Sequence, residues 1–312
     1  MFYAPIALFT YNRADHTQKA VESLLKNAEA KESDLFIFSD GPKNEKAVEG
    51  VKRNREYIHE VKKLEGDGFK SVTLIEREKN WGLANSLIAG ITELTDKYGR
   101  GIVVEDDLIL SPYFLKFLND GLEKYKDDDR VSAVSAFLTP TNVNPKGNFF
   151  LRYFDCWGWA VWKRSWELLN TDAKDLLRQM RFKKSDFDIG NAGGFYGMLL
   201  CQKLGLIDSW AVLFYASSFL NNKLVLFPYE TLAIQSGMDG SGTHSKDGES
   251  MFSGMSLYMN PIEVVDIPIV ESKIMFDAYH WAYRRANKSI EIVRQYGLLK
   301  SFVRRIIGLD CK

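Results

Sequence analysis

The chain has 312 residues, enough for one large or two modest domains, and its 41 Lys and Arg residues are balanced by 41 Asp and Glu residues. A net charge of zero disfavours a general nucleic-acid binder, which would carry an excess of basic residues. The three cysteines lie far apart and predict neither a disulfide framework nor a zinc site. No signal peptide and no apolar run of about 18 residues is visible, so we expect a cytoplasmic protein.

The first 140 residues alternate short apolar segments with amphipathic ones. The predicted strands cover residues 6–9, 35–38, 72–75, 102–104 and 131–134. The predicted helices between them cover residues 15–28, 46–64, 83–98 and 112–125. This alternation indicates an α/β fold with a mainly parallel sheet and helices on both faces, and the uniformly apolar strands agree with burial on both sides.

Beyond residue 140 the alternation stops. Residues 149–162 are rich in aromatic side chains, residues 164–220 have a largely helical pattern, and the glycine-rich stretch at 237–254 predicts a flexible loop. Because no linker separates the two parts, we predict that the second half extends the core of the first. The predicted parts are a half at 1–140, a mixed aromatic and helical half of the same domain at 141–285, and a tail at 286–312.

The tail has the pattern of a basic amphipathic helix. Apolar residues recur at helical spacing from Ile292 to Ile307, and only Glu291 and Asp310 oppose the basic residues of this stretch. The basic residues are Lys288, Arg294, Lys300, Arg304, Arg305 and Lys312. Such a helix can lie on an anionic membrane surface, as at the inner face of the cell membrane, or pack on the protein with its charges in water. The sequence leaves both hypotheses open.

Three adjacent acids follow the fourth predicted strand. The apolar run at 102–104 ends directly in Glu105, Asp106 and Asp107. In open α/β sheets, ligands bind at the carboxyl ends of the strands. Adjacent carboxylates repel one another unless a positive charge lies among them, and Mg²⁺ or Mn²⁺ could supply that charge while also binding nucleotide phosphates. A solvated acidic turn before the next helix is the alternative, but the buried strand that precedes the acids favours a site.

Polar residues also follow the first three predicted strands. They are Thr10-Tyr-Asn-Arg13, Ser39-Asp-Gly-Pro42 and Asn80-Trp-Gly-Leu-Ala84. Because the ends of parallel strands share one edge of a sheet, Arg13, Asp40 and Asn80 can converge with Asp107. Arg13 suits a phosphate, and Asp40 can accept a hydrogen bond from a base N–H. Although Asp40-Gly-Pro alone is most often a plain turn, the segments together predict a nucleotide pocket.

These strand-end segments resemble the nucleotide-sugar half of GT-A-fold glycosyltransferases. Val103-Val-Glu-Asp-Asp-Leu108 with Ser111-Pro-Tyr-Phe114 is similar to the N-acetylglucosaminyltransferase I family, and bacterial family 2-like sugar transferases share the other motifs. The resemblance covers most of residues 4–245. It implies a Rossmann-like GT-A sheet and a metal-dependent, inverting transfer of a hexosyl or N-acetylhexosaminyl group. The donor would be a nucleotide diphosphate sugar, with UDP expected, and the acceptor a hydroxyl of a glycan or lipid-linked saccharide.

The resemblance also implies roles for single residues. Asp107 would bind the Mn²⁺ or Mg²⁺ that bridges the donor diphosphate, Asp106 and Glu105 would touch the ribose or donor sugar, and Asp40 would bind uracil. The implied donor-binding set is Thr10, Asn12, Arg13, Asp40, Asn80, Gly82, Asn85, Glu105 and Asp106.

An aromatic segment in the second half, Cys156-Trp-Gly-Trp159, resembles the segment that faces the donor sugar and acceptor in these enzymes. The implied sugar contacts are Trp157, Gly158, Trp159 and Trp210. Tryptophan rings pack well on the apolar faces of sugars. Since alternate residues of an extended segment point in opposite directions, we expect one of Trp157 and Trp159 to lie in the core.

Two further residues carry implied roles. Asp208, in Ile207-Asp-Ser-Trp210, would be the general base that takes the acceptor hydroxyl proton, although an N-cap of the following helix is the alternative. His244, in the glycine-rich stretch, would complete the metal shell or contact the diphosphate, although a surface residue is equally compatible with its setting.

Two other functions fit parts of the pattern. A nucleotidyltransferase would share the sheet and the acids, but it usually has a glycine-rich, basic loop after the first strand, which Thr10 to Asp15 lack. A non-catalytic carbohydrate-binding protein is disfavoured because Asp107, Asp208 and His244 are all present. We expect a nucleotide-sugar donor and a saccharide acceptor as partners, and no nucleic acid. By resemblance, we expect a role in envelope polysaccharide assembly on a lipid carrier.

Overall fold

The computed structural model describes residues 3–236, 252 and 254–286. The strands are β1 (Ile6–Thr10), β2 (Asp34–Ser39), β3 (Ser71–Glu76), β4 (Arg100–Glu105), β5 (Leu108–Leu110), β6 (Val131–Ser135), β7 (Phe149–Leu151), β8 (Trp159–Trp162), β9 (Leu224–Phe227) and β10 (Ala233–Gln235). Eight of them form one sheet in the order β3-β2-β1-β4-β8-β6-β9-β7, and β5 pairs with β10 in a small antiparallel sheet.

Helices cover both faces of the large sheet. They are α1 (Ala14–Leu24), α2 (Val48–Lys62), α3 (Leu83–Tyr98), α4 (Phe114–Lys124), α5 (Lys163–Trp166), α6 (Ala173–Gln179), α7 (Lys184–Phe187), α8 (Phe195–Lys203), α9 (Trp210–Leu220) and α10 (273–286). Along β1, Ala7 and Phe9 join the core beneath α3 and α9, whereas Ile6 and Leu8 join the core beneath α1 and α4. The uniform apolarity of the strands is explained by this burial on both faces.

The sheet is parallel in its first half and mixed in its second. β1 runs parallel to β2 and β4, and β2 runs parallel to β3, as the sequence predicts. β8 lies antiparallel between β4 and β6, β9 runs parallel to β6, and β7 runs antiparallel to β9. The predicted α/β fold of the GT-A kind, with a mainly parallel sheet flanked by helices, is therefore confirmed.

The ends of α3 show how local sequence sets an element beside the site. Gly82 precedes the helix with a φ of 78°, and Gly99 ends it with a φ of 75°, so both stand in the left-handed region that favours glycine. The Gly99 N–H donates to the Thr95 carbonyl at 2.8 Å and closes the last turn. The predicted range of 83–98 for this helix is confirmed.

No helix among the described residues is long and apolar enough to cross a lipid bilayer. The predicted amphipathic tail helix and most of the glycine-rich stretch lie outside the described residues, as does His244. Both predictions therefore stay predictions.

Candidate active site

The acid motif lies at the carboxyl end of β4, beside the end of β1. The Asp106 N–H donates to the Phe9 carbonyl at 3.0 Å, so the pairing of the two strands continues into the acids. The Asp107 carbonyl accepts hydrogen bonds from the Ser236 N–H at 2.7 Å and the Ser236 hydroxyl at 3.0 Å. Ser236 follows β10, and β10 pairs with β5, which follows the acids. This pairing therefore helps to position Asp107.

Arg13 supplies a positive charge to the acids. Its Nη2 atom lies 2.5 Å from Asp106 Oδ1 and 3.0 Å from Asp107 Oδ2, at the start of α1. Burial alone would lower the pKa of Arg13, but the charges of Asp106 and Asp107 and their hydrogen bonds raise it. The predicted convergence of Arg13 with the acids is what the structure shows, and a guanidinium occupies the place where a cation was expected.

One guanidinium does not neutralise three carboxylates. The pKa of Glu105 is raised to about 8, first by burial and then by the charges of Asp107 and Asp106, against the opposing charge of Arg13. Burial also raises the pKa of Asp106 to about 6, although Arg13 opposes the shift. The cluster would therefore be stabilised by a further positive charge.

The acids suit a cation that is shared with a ligand. Among the described residues, no group of three His, Cys, Asp or Glu side chains is arranged to hold a metal. The carboxylates are nevertheless hard oxygen donors, and Mg²⁺ is usually held by one or two carboxylates together with substrate phosphates and water. Asp107, which keeps its Oδ2 atom near Gln235 Nε2 at 3.3 Å, is placed to supply one such ligand.

Asp40, at the end of β2, is buried and fully engaged with the loop between β3 and α3. Its Oδ1 atom accepts from the Gly41 N–H at 3.0 Å and the Trp81 N–H at 2.9 Å. Its Oδ2 atom accepts from Asn80 Nδ2 at 3.0 Å and the Gly82 N–H at 2.9 Å. Because each oxygen already accepts at least two hydrogen bonds, the carboxylate positions the loop, and the predicted contact of Asp40 with uracil stays a prediction.

The loop that Asp40 holds presents an exposed tryptophan. The Arg77 guanidinium lies 3.5 Å from the Trp81 ring centroid, which is a close cation–π contact. Exposed Asn85 donates from its side chain to the Trp81 carbonyl at 2.9 Å. Of the predicted donor-binding residues in this region, Asn80 and Gly82 stabilise the loop by donating to Asp40. Asn85, in α3, stabilises it by donating to the Trp81 carbonyl.

Thr10 and Asn12 lie on the first strand end. The Thr10 hydroxyl is buried and accepts from Asn54 Nδ2 at 3.0 Å, so it ties β1 to α2. The Thr10 hydroxyl therefore has a structural partner, and the predicted contact of Thr10 with the donor stays a prediction. Asn12 is half-buried, and its carbonyl lies against Gly50, where a Cβ atom would approach it to 2.8 Å.

Three of the four predicted sugar contacts belong to the core. Trp159 is fully buried and stacks on buried Trp210 with ring centroids 5.5 Å apart. Gly158 is also buried, with a φ of 77°, and a Cβ atom there would lie 2.7 Å from Phe114. The predictions for Trp159, Trp210 and Gly158 are corrected, because none presents a surface to a sugar. As expected, one tryptophan of the pair, Trp159, is internal.

Trp157 is half-exposed and borders a cavity of about 310 Å³. Its ring makes edge contacts with Phe137 at 4.6 Å and Phe252 at 4.8 Å. The other lining residues are Ile234, Gln235, Ser236, Phe252, Gly254 and Met255. Because two of these, Gln235 and Ser236, contact Asp107, the cavity adjoins the acids. An apolar wall with a few polar groups is typical of small-molecule sites.

Asp208 is exposed and stands just before α9. Ser209 is the N-cap of that helix, because its hydroxyl accepts from the Val212 N–H at 3.4 Å. The alternative that Asp208 caps the helix is therefore wrong. No described hydrogen bond or ion pair joins Asp208 to the acid motif, so its role as a base stays a prediction.

Asp155 was not among the predicted site residues. Its carboxylate accepts from the Tyr153 hydroxyl at 2.8 Å and from the Trp157 N–H at 3.0 Å. Burial raises its pKa to about 6, and its charge contributes to the raised pKa of Glu105, so it lies near the acids. The only sequence signal was an acid two residues before the exposed tryptophan.

A mainly parallel sheet with an acid motif at the end of β4 is typical of GT-A-fold glycosyltransferases. Residues 6–195 match the model of glycosyl transferase family 2, so the chain belongs to that family and is a glycosyltransferase. The predicted resemblance to GT-A enzymes is confirmed, and the closer similarity to N-acetylglucosaminyltransferase I stays a prediction. No match is found among curated proteins.

Solved structures with similar folds have low identity to this chain. TarS of S. aureus is 15% identical with a TM-score of 0.32, and the match covers 46% of this chain and 23% of TarS. The galactosyltransferase LgtC is 12% identical with a TM-score of 0.38, over 72% of each chain. GlyE of Streptococcus pneumoniae TIGR4 is 8% identical with a TM-score of 0.36, over 73% of this chain and 45% of GlyE. Similarities at this level carry nothing about donor or acceptor.

Proposed function

We propose that this glycosyltransferase is metal-dependent and inverting, and that it moves a hexosyl or N-acetylhexosaminyl group from a UDP-sugar to a hydroxyl of a glycan or lipid-linked saccharide. The observation that carries the proposal is the Asp106–Asp107 pair at the sheet edge, held by Arg13 and bordered by the cavity of Trp157. In this proposal residues 1–140 bind the donor, and residues 141–285 complete the acceptor side.

The charges at the sheet edge suit a departing diphosphate. Asp107 presents carboxylate oxygens to a divalent cation, and that cation would supply Lewis-acid stabilisation of the leaving group when bound. Arg13 adds a permanent positive charge beside the same atoms, next to largely buried carboxylates where charges interact more strongly than in water. Glu105 and Asp106 face the ribose or the donor sugar in this arrangement.

The cavity suits one sugar ring. Its volume of about 310 Å³ lies at the lower end of the range for small-molecule pockets. Trp157 offers an aromatic surface to the C–H face of a sugar, while Gln235 and Ser236 offer polar groups beside Asp107. We assign this cavity to the transferred sugar.

Asp208 is the proposed general base. As the acceptor oxygen bonds to the anomeric carbon, the bond from that carbon to the diphosphate oxygen breaks, and the acceptor proton passes to the Asp208 carboxylate. Attack on the face opposite the leaving group inverts the anomeric configuration. The proposal is supported by the exposure of Asp208 and by its freedom from the capping role, which Ser209 performs.

A donor screen tests the proposed function. We expect thermal unfolding to shift upward with UDP-sugars and Mn²⁺ together, because a ligand that binds the folded state stabilises it. One UDP-sugar should then be transferred to a saccharide acceptor, and NMR should show a product of inverted anomeric configuration. A retained configuration would overturn the inverting mechanism, and equal transfer in EDTA would overturn the cation requirement.

A further inference from the structure

Arg13 competes for the carboxylate oxygens that a divalent cation would use. Its Nη2 atom contacts Asp106 Oδ1 and Asp107 Oδ2 together. The Arg13 side chain is 25% exposed, whereas those of Asp106 and Asp107 are only 6% and 12% exposed. The guanidinium is therefore the more exposed partner, and it contacts an oxygen of Asp107 that a divalent cation would use.

The backbone of Arg13 is held by the first turn of α1, and its guanidinium is held by the two acids. The Arg13 carbonyl accepts from the His16 N–H at 3.1 Å and the Thr17 N–H at 3.0 Å, in the first turn of α1. The acids keep other partners if the guanidinium leaves, since the Tyr11 N–H lies 3.3 Å from Asp106 Oδ2 and Gln235 remains on Asp107.

We propose that Arg13 is a tethered counter-ion. It closes Asp106 and Asp107 to divalent cations in the absence of donor, and it transfers to the donor diphosphate when a cation binds Asp107. A guanidinium forms charge-assisted hydrogen bonds with phosphate as well as with carboxylate, so the diphosphate offers Arg13 replacement partners. The inference rests on the proposed function, because its two ligands are the cation and the nucleotide diphosphate.

The exchange couples the two ligands. When UDP binds Arg13, the guanidinium leaves the carboxylates, which can then bind the cation. When the cation binds Asp107, it displaces the guanidinium, which can then bind UDP. Each ligand must then strengthen the binding of the other by the same factor. Removing the guanidinium should open the acids permanently and reduce that coupling.

Binding of Mn²⁺ tests the inference without any measurement of activity. Free Mn²⁺ is followed by electron paramagnetic resonance, without and with UDP, for the wild type and for Arg13→Gln. We expect UDP to tighten Mn²⁺ binding to the wild type by about tenfold or more, which is an ordinary coupling between sites. Arg13→Gln should bind Mn²⁺ alone about tenfold more tightly than the wild type, and its gain from UDP should be smaller.

Arg130→Gln is the matched control. Arg130 forms a two-point contact with Asp128 at 3.0 and 2.6 Å just before β6, and β6 runs parallel to β4, so it lies at the opposite edge of the sheet. This variant removes the same charge and should bind Mn²⁺ as the wild type does. Arg13→Lys keeps the charge with a smaller set of donors and should show intermediate Mn²⁺ affinity, which covers the case in which Arg13→Gln unfolds.

Three outcomes separate the inference from the proposed function. Equal Mn²⁺ affinity of the wild type and Arg13→Gln without UDP overturns the inference and leaves the transferase intact. If both bind UDP and neither binds Mn²⁺, the inference and the cation requirement fall together, while sugar transfer can still be demonstrated in EDTA. Tighter Mn²⁺ binding by Arg13→Gln, with coupled Mn²⁺ and UDP binding by the wild type but no transfer from any donor, supports the inference and overturns the proposed transfer.

Discussion

At the scale of single residues, the three acids differ in the contacts that hold them in place. Asp106 is placed by the strand ladder and by Tyr11, whereas Asp107 is held by Gln235 and through its backbone by Ser236. Glu105 belongs to β4 itself and shows no side-chain hydrogen bond among the described residues. Asp107 therefore combines a fixed backbone with a carboxylate whose partners are two long, adaptable side chains, Arg13 and Gln235.

Replacing Asp107 by Asn should remove cation-dependent donor binding and leave the fold intact. The substitution keeps the shape of the side chain and its backbone contacts but loses the charge that a cation needs. We expect calorimetry to show UDP affinity that no longer increases with Mn²⁺. Asp127→Asn, in an exposed acidic run after α4, is the control and should behave as the wild type. An unchanged dependence on Mn²⁺ in Asp107→Asn would show that the cation site lies elsewhere.

Asp208 and its neighbour Ser209 should separate catalysis from stability. Asp208→Asn should keep UDP affinity but lose transfer by a factor on the order of 10² to 10⁴, the usual contribution of a positioned base. Ser209→Ala should lose about 1 kcal/mol in the free energy of unfolding, because α9 loses its cap, yet keep its transfer rate. Transfer kinetics and urea denaturation on both variants test the pair. Near wild-type transfer by Asp208→Asn would place the base elsewhere.

At the scale of secondary-structure elements, the loop between β3 and α3 depends on a carboxylate from another strand. Asp40→Asn replaces one of the two acceptor oxygens by an NH₂ group, so the backbone N–H groups that donate to that oxygen lose their acceptor. We expect a loss of about 1–3 kcal/mol in the free energy of unfolding. Asp67→Asn, at an exposed position between α2 and β3, is the control for a lost charge.

The same variant distinguishes loop positioning from contact with the base. If Asp40 only holds the loop, binding of UDP, CDP and ADP should weaken by similar factors in Asp40→Asn. If Asp40 contacts uracil, the preference for UDP should fall selectively. Equilibrium titration with the three nucleotides decides between the two roles.

The parallel half of the fold was predictable from sequence, and the mixed half was not. Helix α3 is indicated by the helical spacing of its apolar residues and by the glycines at its two ends. The site at β4 is indicated by an apolar run that ends in three acidic residues. The insertion of β8 between β4 and β6 depends on pairings between distant segments, which no local pattern reports. For the same reason Trp159 and Trp157 looked alike in sequence, although only Trp157 reaches the cavity. The bonds of Asp40 also join residues about 40 positions apart.

At the scale of the whole molecule, the proposed membrane contact depends on the tail. Deleting residues 288–312 should release the protein from anionic liposomes and spare transfer to a soluble acceptor. Six basic residues against two acidic ones would contribute about 1 kcal/mol each near an anionic leaflet. Liposome flotation at moderate salt is the measurement, with neutral liposomes as the control. If the full chain ignores anionic liposomes, or the deletion unfolds the core, the tail is a packing element.

The hydrogen bond from the Ser236 hydroxyl to the Asp107 carbonyl joins residues 129 positions apart in the chain. During synthesis the acid motif leaves the ribosome long before β10 exists, so the motif must wait for the second half before it acquires its final geometry. A fragment of residues 1–140 would carry Arg13 and all three acids, yet it would lack Gln235, Ser236 and the aromatic wall of the cavity. We therefore expect that the fragment does not bind the proposed donor.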